Sequence, residues 1–97
     1  MRVEYHPALE NELREIVNYY NQCSGGLGDE FLNEFERHIL KITATPMQWL
    51  AINGDIRRAL MKRFPYFIYF RVLENDVLRV TVIKHQRRHP DYGLSRK

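Results

Sequence analysis

The 97-residue chain has a single cysteine, Cys23, so it cannot close an internal disulfide, and its fold cannot depend on an oxidising compartment. It has no apolar run long enough to span a membrane, and Met1-Arg2-Val3-Glu4-Tyr5-His6-Pro7 offers no apolar stretch suited to a secretory leader. A cytoplasmic protein with no membrane partner is therefore expected. Proline, glycine and serine never gather into a stretch that reads as disordered linker, and a chain this short buries one core, so residues 1–97 are read as a single domain. Loose structure is expected only at the very end. Internal repeats are also lacking.

Acidic residues are scarce in one half only. Residues 1–55 hold 4 Lys/Arg and 9 Asp/Glu, a net of −5, whereas residues 56–97 hold 11 and 3, a net of +8. That segregation points to a face that meets something anionic, nucleic acid or an acidic protein segment. The plainer alternative is a solvated strand face that happens to carry Arg and Lys.

Val3 and Tyr5 alternate with Arg2 and Glu4, the pattern of a short outer strand ended by Pro7. From Pro7, Leu9, Leu13, Ile16, Val17 and Tyr20 follow helical spacing, with Glu10, Glu12 and Glu15 near the positive end of the helix dipole. Cys23-Ser-Gly-Gly-Leu-Gly-Asp29 breaks this helix, and Asp29 is the expected cap of the next. Phe31, Leu32, Phe35, Ile39 and Ile42 then mark a second amphipathic helix that stops at Thr45-Pro46. Residues 47–55 read as a loop, with Trp49 and Leu50 tucked onto the core and Asn53-Gly54-Asp55 turning the chain. Strands are expected at Ile56–Leu60, Tyr66–Leu73 and Val77–Lys84, the last two joined by a tight turn at Glu74-Asn75-Asp76. Both long strands are apolar at nearly every position and belong in the middle of the sheet with a face under the helices. The fold class is α+β, in the order β-α-α-β-β-β, with a helical hairpin packed on a small, mainly antiparallel sheet.

Two clusters could carry chemistry. Arg57, Arg58, Lys62 and Arg63 precede the first long strand; Arg57 and Arg58 must point to opposite faces, so only part of the set can converge. Lys84, His85, Gln86, Arg87, Arg88, His89, Asp91 and Tyr92 follow the last strand, where a rigid element hands over to a loop. Arginine grips phosphate or carboxylate with two parallel bonds, histidine is an acid or base near neutral pH, and tyrosine donates a proton or stacks on a base. A ribonuclease without metal would use these parts; so would a site for an acidic partner. No metal site is expected, because Pro90 breaks the helix that would bring His85 and His89 together, and no cofactor is called for. Ser24-Gly-Gly-Leu-Gly28 lacks the Lys-Ser/Thr of a phosphate loop and follows no strand, and Cys23 has no partnered His or Asp nearby. Tyr66, Phe67, Tyr69 and Phe70 could form a base-stacking platform, but neighbours on a strand face opposite ways, and core is the better reading.

With these motifs in place, the chain resembles the RelE/ParE superfamily, toxins of bacterial and archaeal type II toxin–antitoxin modules. The resemblance covers nearly the whole length: HPALENEL after the opening strand, IVNYYN closing the first helix, ITATP closing the second, then IRRALMKRFPYFIYFRV and VIKHQRRHPDYG. Arg-Phe-Pro-Tyr-x-Ile-Tyr followed by His-Gln-Arg-Arg is typical of the ParE-like, plasmid-stabilisation branch. The resemblance implies a toxin held inactive by an acidic, partly disordered antitoxin. It implies inhibition of DNA gyrase, with no catalytic activity of its own, if the chain is ParE-like. If it is RelE-like, it implies cleavage of messenger RNA at the ribosome by a ribonuclease that needs no metal. Carried over by position, the ribonuclease residues would be Arg57, Arg58, His85, Arg88 and Tyr92. Phe67 and Gln86 stand where that branch has arginines, and Arg57-Arg58 replace its alternating lysines. Antitoxin or target would be held by Arg57, Arg58, Lys62, Arg63, Arg87 and Arg88. A toxin dimer and a toxin–antitoxin hetero-oligomer are both compatible with the family, as is a non-toxic binding module of the same fold.

Overall fold

The computed structural model describes residues 1–97. Strand β1 (Arg2–Tyr5) leads into helices α1 (Ala8–Cys23) and α2 (Leu27–Ala44); a 3-10 turn (Pro46–Gln48) precedes β2 (Leu50–Asn53), β3 (Ile56–Leu60), β4 (Tyr66–Leu73) and β5 (Val77–His85). The five strands form one sheet in the order β1-β5-β4-β3-β2. Only the β1–β5 pairing is parallel. The architecture is the α+β arrangement expected from the sequence, with one strand more.

The extra strand is β2. Residues 47–55 were expected to be loop, but Leu50–Asn53 pairs antiparallel with β3, and Asn53-Gly54-Asp55 is the hairpin turn between them. Leu50 does not tuck onto the core: it is 60% exposed, at the start of an edge strand and opposite Arg58. The expected Asp29 cap is also corrected. Gly26, at φ 87°, is the residue before α2, and Asp29 lies in its first turn, where a negative charge suits the helix dipole. The helices meet tightly at their junction. A Cβ on Gly28 would stand 2.1 Å from the Val17 carbonyl oxygen, and its N–H donates to Asn21 Oδ1 at 2.7 Å.

The apolar stripes of both helices close over one face of the sheet. Leu9, Phe31, Phe35, Ile39 and Ile42 pack there on Ala59, Ile68, Phe70, Leu78, Val80 and Ile83. A bulge in β5 makes this alternation work. Tyr69 pairs with Val82 and Phe70 with Val80, leaving Thr81 unpaired between them, so that Val80 and Ile83 face the helices while Val82 faces away. On that far face Ile56, Tyr69 and Val82 form a small second cluster under Ile52, Phe67, Tyr92 and Leu94.

The C-terminal residues, expected to be loose, fold back as a strap across the far face. Gly93, at φ 76°, lies so close that a Cβ would come within 2.5 Å of Val82 Cγ2. Arg71 donates to the Arg96 carbonyl at 3.2 Å, and Arg79 to that of Lys97 at 3.4 Å. No helix is long and apolar enough to cross a membrane.

Candidate functional site

Pairing of β4 with β5 sets Tyr66 opposite His85, which brings the loop entering β4 and the segment leaving β5 to the same end of the sheet. Gln86 N–H donates to the Pro65 carbonyl across this junction at 2.8 Å. The two basic stretches of the sequence thus share one end of the molecule: Lys62 and Arg63 from one side, Arg87 and Arg88 from the other, all four exposed.

Buried groups fix the backbone under these cations. Glu34, on the apolar stripe of α2, accepts the backbone N–H of Lys62 at 2.9 Å and of Arg63 at 3.2 Å on a single carboxylate oxygen. Arg63 pairs with Glu30 at 3.0 Å and its guanidinium lies 5.4 Å from the Phe64 ring centre. His38 Nε2 sits 3.6 Å from Glu34, while its Nδ1 is buried without a partner. Burial holds the His38 pKa below its ordinary value, against the opposing pull of Glu34.

Beneath the other stretch, Lys84 is 4% exposed and has no carboxylate partner. Its ammonium donates to the carbonyls of His85 at 3.2 Å and Arg88 at 3.0 Å. Burial, and then the nearby Arg58, lowers its pKa. Lys84 and Arg58 flank the Phe67 ring on the far face, 5.4 Å and 4.5 Å from its centre. The Arg88 guanidinium lies 4.2 Å from the centre of the Tyr92 ring, and Arg96 lies 5.2 Å from it. The Tyr92 hydroxyl donates to Glu12 of α1. Arg96 binds both oxygens of the same carboxylate at 2.8 Å and donates to the Thr81 carbonyl, freed by the bulge, at 3.2 Å. Burial alone would raise the Glu12 pKa; the hydrogen bonds from Arg96 and Tyr92 outweigh it and hold the carboxyl below its ordinary value.

Three of the five candidate ribonuclease residues come together. His85, Arg88 and Tyr92 line a groove of about 380 Å³ with Glu12, Tyr66 and Lys84. Arg58 lies elsewhere, beside Phe67 on the far face, in a smaller cleft of about 300 Å³ with Tyr69 and Leu94. Arg57 is committed to structure, its guanidinium donating to the carbonyls of Met47 at 3.2 Å and Trp49 at 2.7 Å and so tying the 3-10 turn to β3. The groove residues are themselves partly occupied: Tyr92 serves Glu12, and His85 Nδ1 accepts the Arg87 N–H at 3.0 Å. As a proton-transfer set the five do not converge. As a set of cations for an anionic surface, Lys62, Arg63, Arg87 and Arg88 share one end with Arg58 on the adjoining face, and Arg57 stands apart.

Sequence reasoning missed Glu12, Glu34 and Arg96, which help to hold this end in shape, and it named Lys84 only as a member of the C-terminal basic cluster, not as a buried support. A second surface has the opposite character. Tyr5, Leu9, Leu13, Leu32 and Phe35 line an apolar groove of about 420 Å³ whose other lining residues include Glu10 and Glu36.

The family described as "ParE toxin of type II toxin-antitoxin system, parDE" matches residues 3–90. No curated protein matches the chain. Among solved structures, a chain described as "Chromosomal ParDE TA system from P. aeruginosa" superposes with a TM-score of 0.75 at 13% identity, covering 88% of this chain and 95% of that one. At that identity the likeness speaks for the fold.

Proposed function

The chain belongs to the ParE toxin family of type II toxin–antitoxin systems, and we propose that it arrests growth by binding a macromolecular target, DNA gyrase, until a cognate acidic antitoxin neutralises it. The observation that carries the reading is the family match over residues 3–90. Geometry supports it. Four exposed cations stand at one end of the sheet on backbone held by Glu34 and Lys84, an arrangement for gripping an anionic surface. The antitoxin would neutralise those cations with its acidic residues and bury apolar ones in the groove between β1, α1 and α2.

A second reading, ribosome-dependent cleavage of messenger RNA, draws on the shared groove of His85, Arg88 and Tyr92. Against it stand the separation of Arg57 and Arg58 and the engagement of the Tyr92 hydroxyl. Inducible expression in bacteria tests both. Arrest accompanied by DNA-damage signalling, relieved by co-expression of a small acidic protein from the adjoining reading frame, supports the gyrase reading. Arrest with rapid loss of ribosome-bound messenger supports the ribonuclease. Normal growth with verified soluble protein would leave a binding module of the same fold.

A further inference from the structure

We infer that Glu12 is the positioning residue of the C-terminal basic segment. The inference rests on the reading above, in which Arg87 and Arg88 touch the target. Glu12 lies on α1, yet its carboxylate takes three hydrogen bonds from the C-terminal strap, one from Tyr92 and two from Arg96. Tyr92 in turn presents its ring to Arg88 at 4.2 Å on one contact and to Arg96 at 5.2 Å on another. The chain of contacts therefore runs from Glu12 through Tyr92 to Arg88, and Lys84 fixes the same turn from below through the Arg88 carbonyl. Without the carboxylate, Arg96 keeps only neutral partners, the Thr81 carbonyl and the Tyr92 hydroxyl. In Glu12→Gln one uncharged acceptor oxygen is left for Tyr92 and Arg96 to share, beside an amide NH2 that faces the Arg96 donors, so the tie between the helical layer and the segment bearing Arg87 and Arg88 is weakened.

The consequence has a sign that separates positioning from plain electrostatics. Glu12→Gln makes the basic end more positive by one charge, so attraction for an anionic target alone would strengthen binding. Positioning predicts the reverse.

Two measurements on the full chain test this. Amide hydrogen exchange reads the strap directly, through the N–H groups of Tyr92, Leu94 and Arg96, which donate to the carbonyls of His89, Asp91 and Gly93. In Glu12→Gln these should exchange about ten- to a hundredfold faster while β4 amides are unchanged, since charge-assisted bonds are lost locally. Tyr92→Phe, which keeps the ring under Arg88, should give a smaller rise and serves if Glu12→Gln fails to fold. Growth arrest at graded induction gives the functional half: Glu12→Gln should need more inducer than wild type, as should Arg87→Ala/Arg88→Ala. Unchanged exchange in the strap overturns the positioning role whatever the growth data show. Faster exchange with full potency, while the double arginine variant is weakened, overturns its importance for the target. Full potency of the double arginine variant strikes instead at the reading that these arginines touch the target, and exchange then still decides whether Glu12 holds the strap.

Discussion

The helix-covered face of the sheet buries a cluster of 13 apolar residues drawn from both helices, from β3, β4 and β5 and from the loop between β3 and β4, whereas the apolar cluster of the far face has three buried members, Ile56, Tyr69 and Val82. Their closures differ accordingly. The first is shut by two amphipathic helices whose apolar side chains need no particular partner, only a dry neighbour. The second is shut by a strap held through specific polar contacts: Glu12 with Tyr92 and Arg96, Arg71 with the Arg96 carbonyl and Arg79 with that of Lys97. Burial supplies most of the stability, and polar contacts mainly set geometry. The functional cations stand where the second kind of structure meets the end of the first.

The contrast breaks most visibly by truncation. Phe35→Ala or Ile68→Ala on the helix side should cost about 2–5 kcal/mol in denaturant unfolding, whereas Leu94→Ala on the far side, where the side chain is half-buried, should cost about 1 kcal/mol. Equal losses would erase the distinction. Next comes Gly93→Ala, which forces a methyl into Val82 at positive φ and should cost about 1–3 kcal/mol. In a Val82→Ala background the cost of Gly93→Ala should be smaller, and a double-mutant cycle reads the coupling.

Acid should affect the two faces in separate pH windows. His38 has a folded pKa below its ordinary value of 6.5, so the fold favours its neutral form, and its contribution is lost as pH falls below about 6.5. The His6 pKa is also lowered by burial, so the difference between wild type and His38→Gln isolates the contribution of His38. Glu12, lowered from 4.5, contributes fully above that value and loses its contribution as pH falls further. Thermal melting from pH 7 to 3 should show the first decline blunted in His38→Gln and the second in Glu12→Gln. The smallest expected effect is kinetic. Arg87→Ala/Arg88→Ala should slow association with the cognate antitoxin and flatten its salt dependence, because screening shortens from about 10 Å at 0.1 M salt to about 3 Å at 1 M. Affinity from the apolar groove should persist.

The same contrast explains what could be read from the sequence. Helical spacing of Leu9 to Tyr20 and Phe31 to Ile42, and the apolar runs of β4 and β5, are local patterns, and they placed the helix-covered face and the order of elements. Strand β2 escaped because Leu50–Asn53 is four residues long, lies at the edge and shows no alternation. The strap escaped because its partners lie far away in sequence: Glu12 is 80 residues from Tyr92 and 84 from Arg96. Weak signals existed. Glu34 and His38 interrupt the apolar stripe of α2, and Lys84 continues the apolar run of β5; a polar group at a core position asks for a partner. The two basic stretches were legible as candidates, and the register of Tyr66 with His85 joined them at one end.

The most direct measurement of the proposed activity uses purified protein, DNA gyrase and relaxed plasmid. Wild-type protein should abolish ATP-dependent supercoiling, and Arg87→Ala/Arg88→Ala should do so only at higher concentration. Normal supercoiling in the presence of folded wild-type protein, together with cleavage of messenger on purified ribosomes, would contradict the gyrase reading and assign the groove of His85, Arg88 and Tyr92 to the ribonuclease.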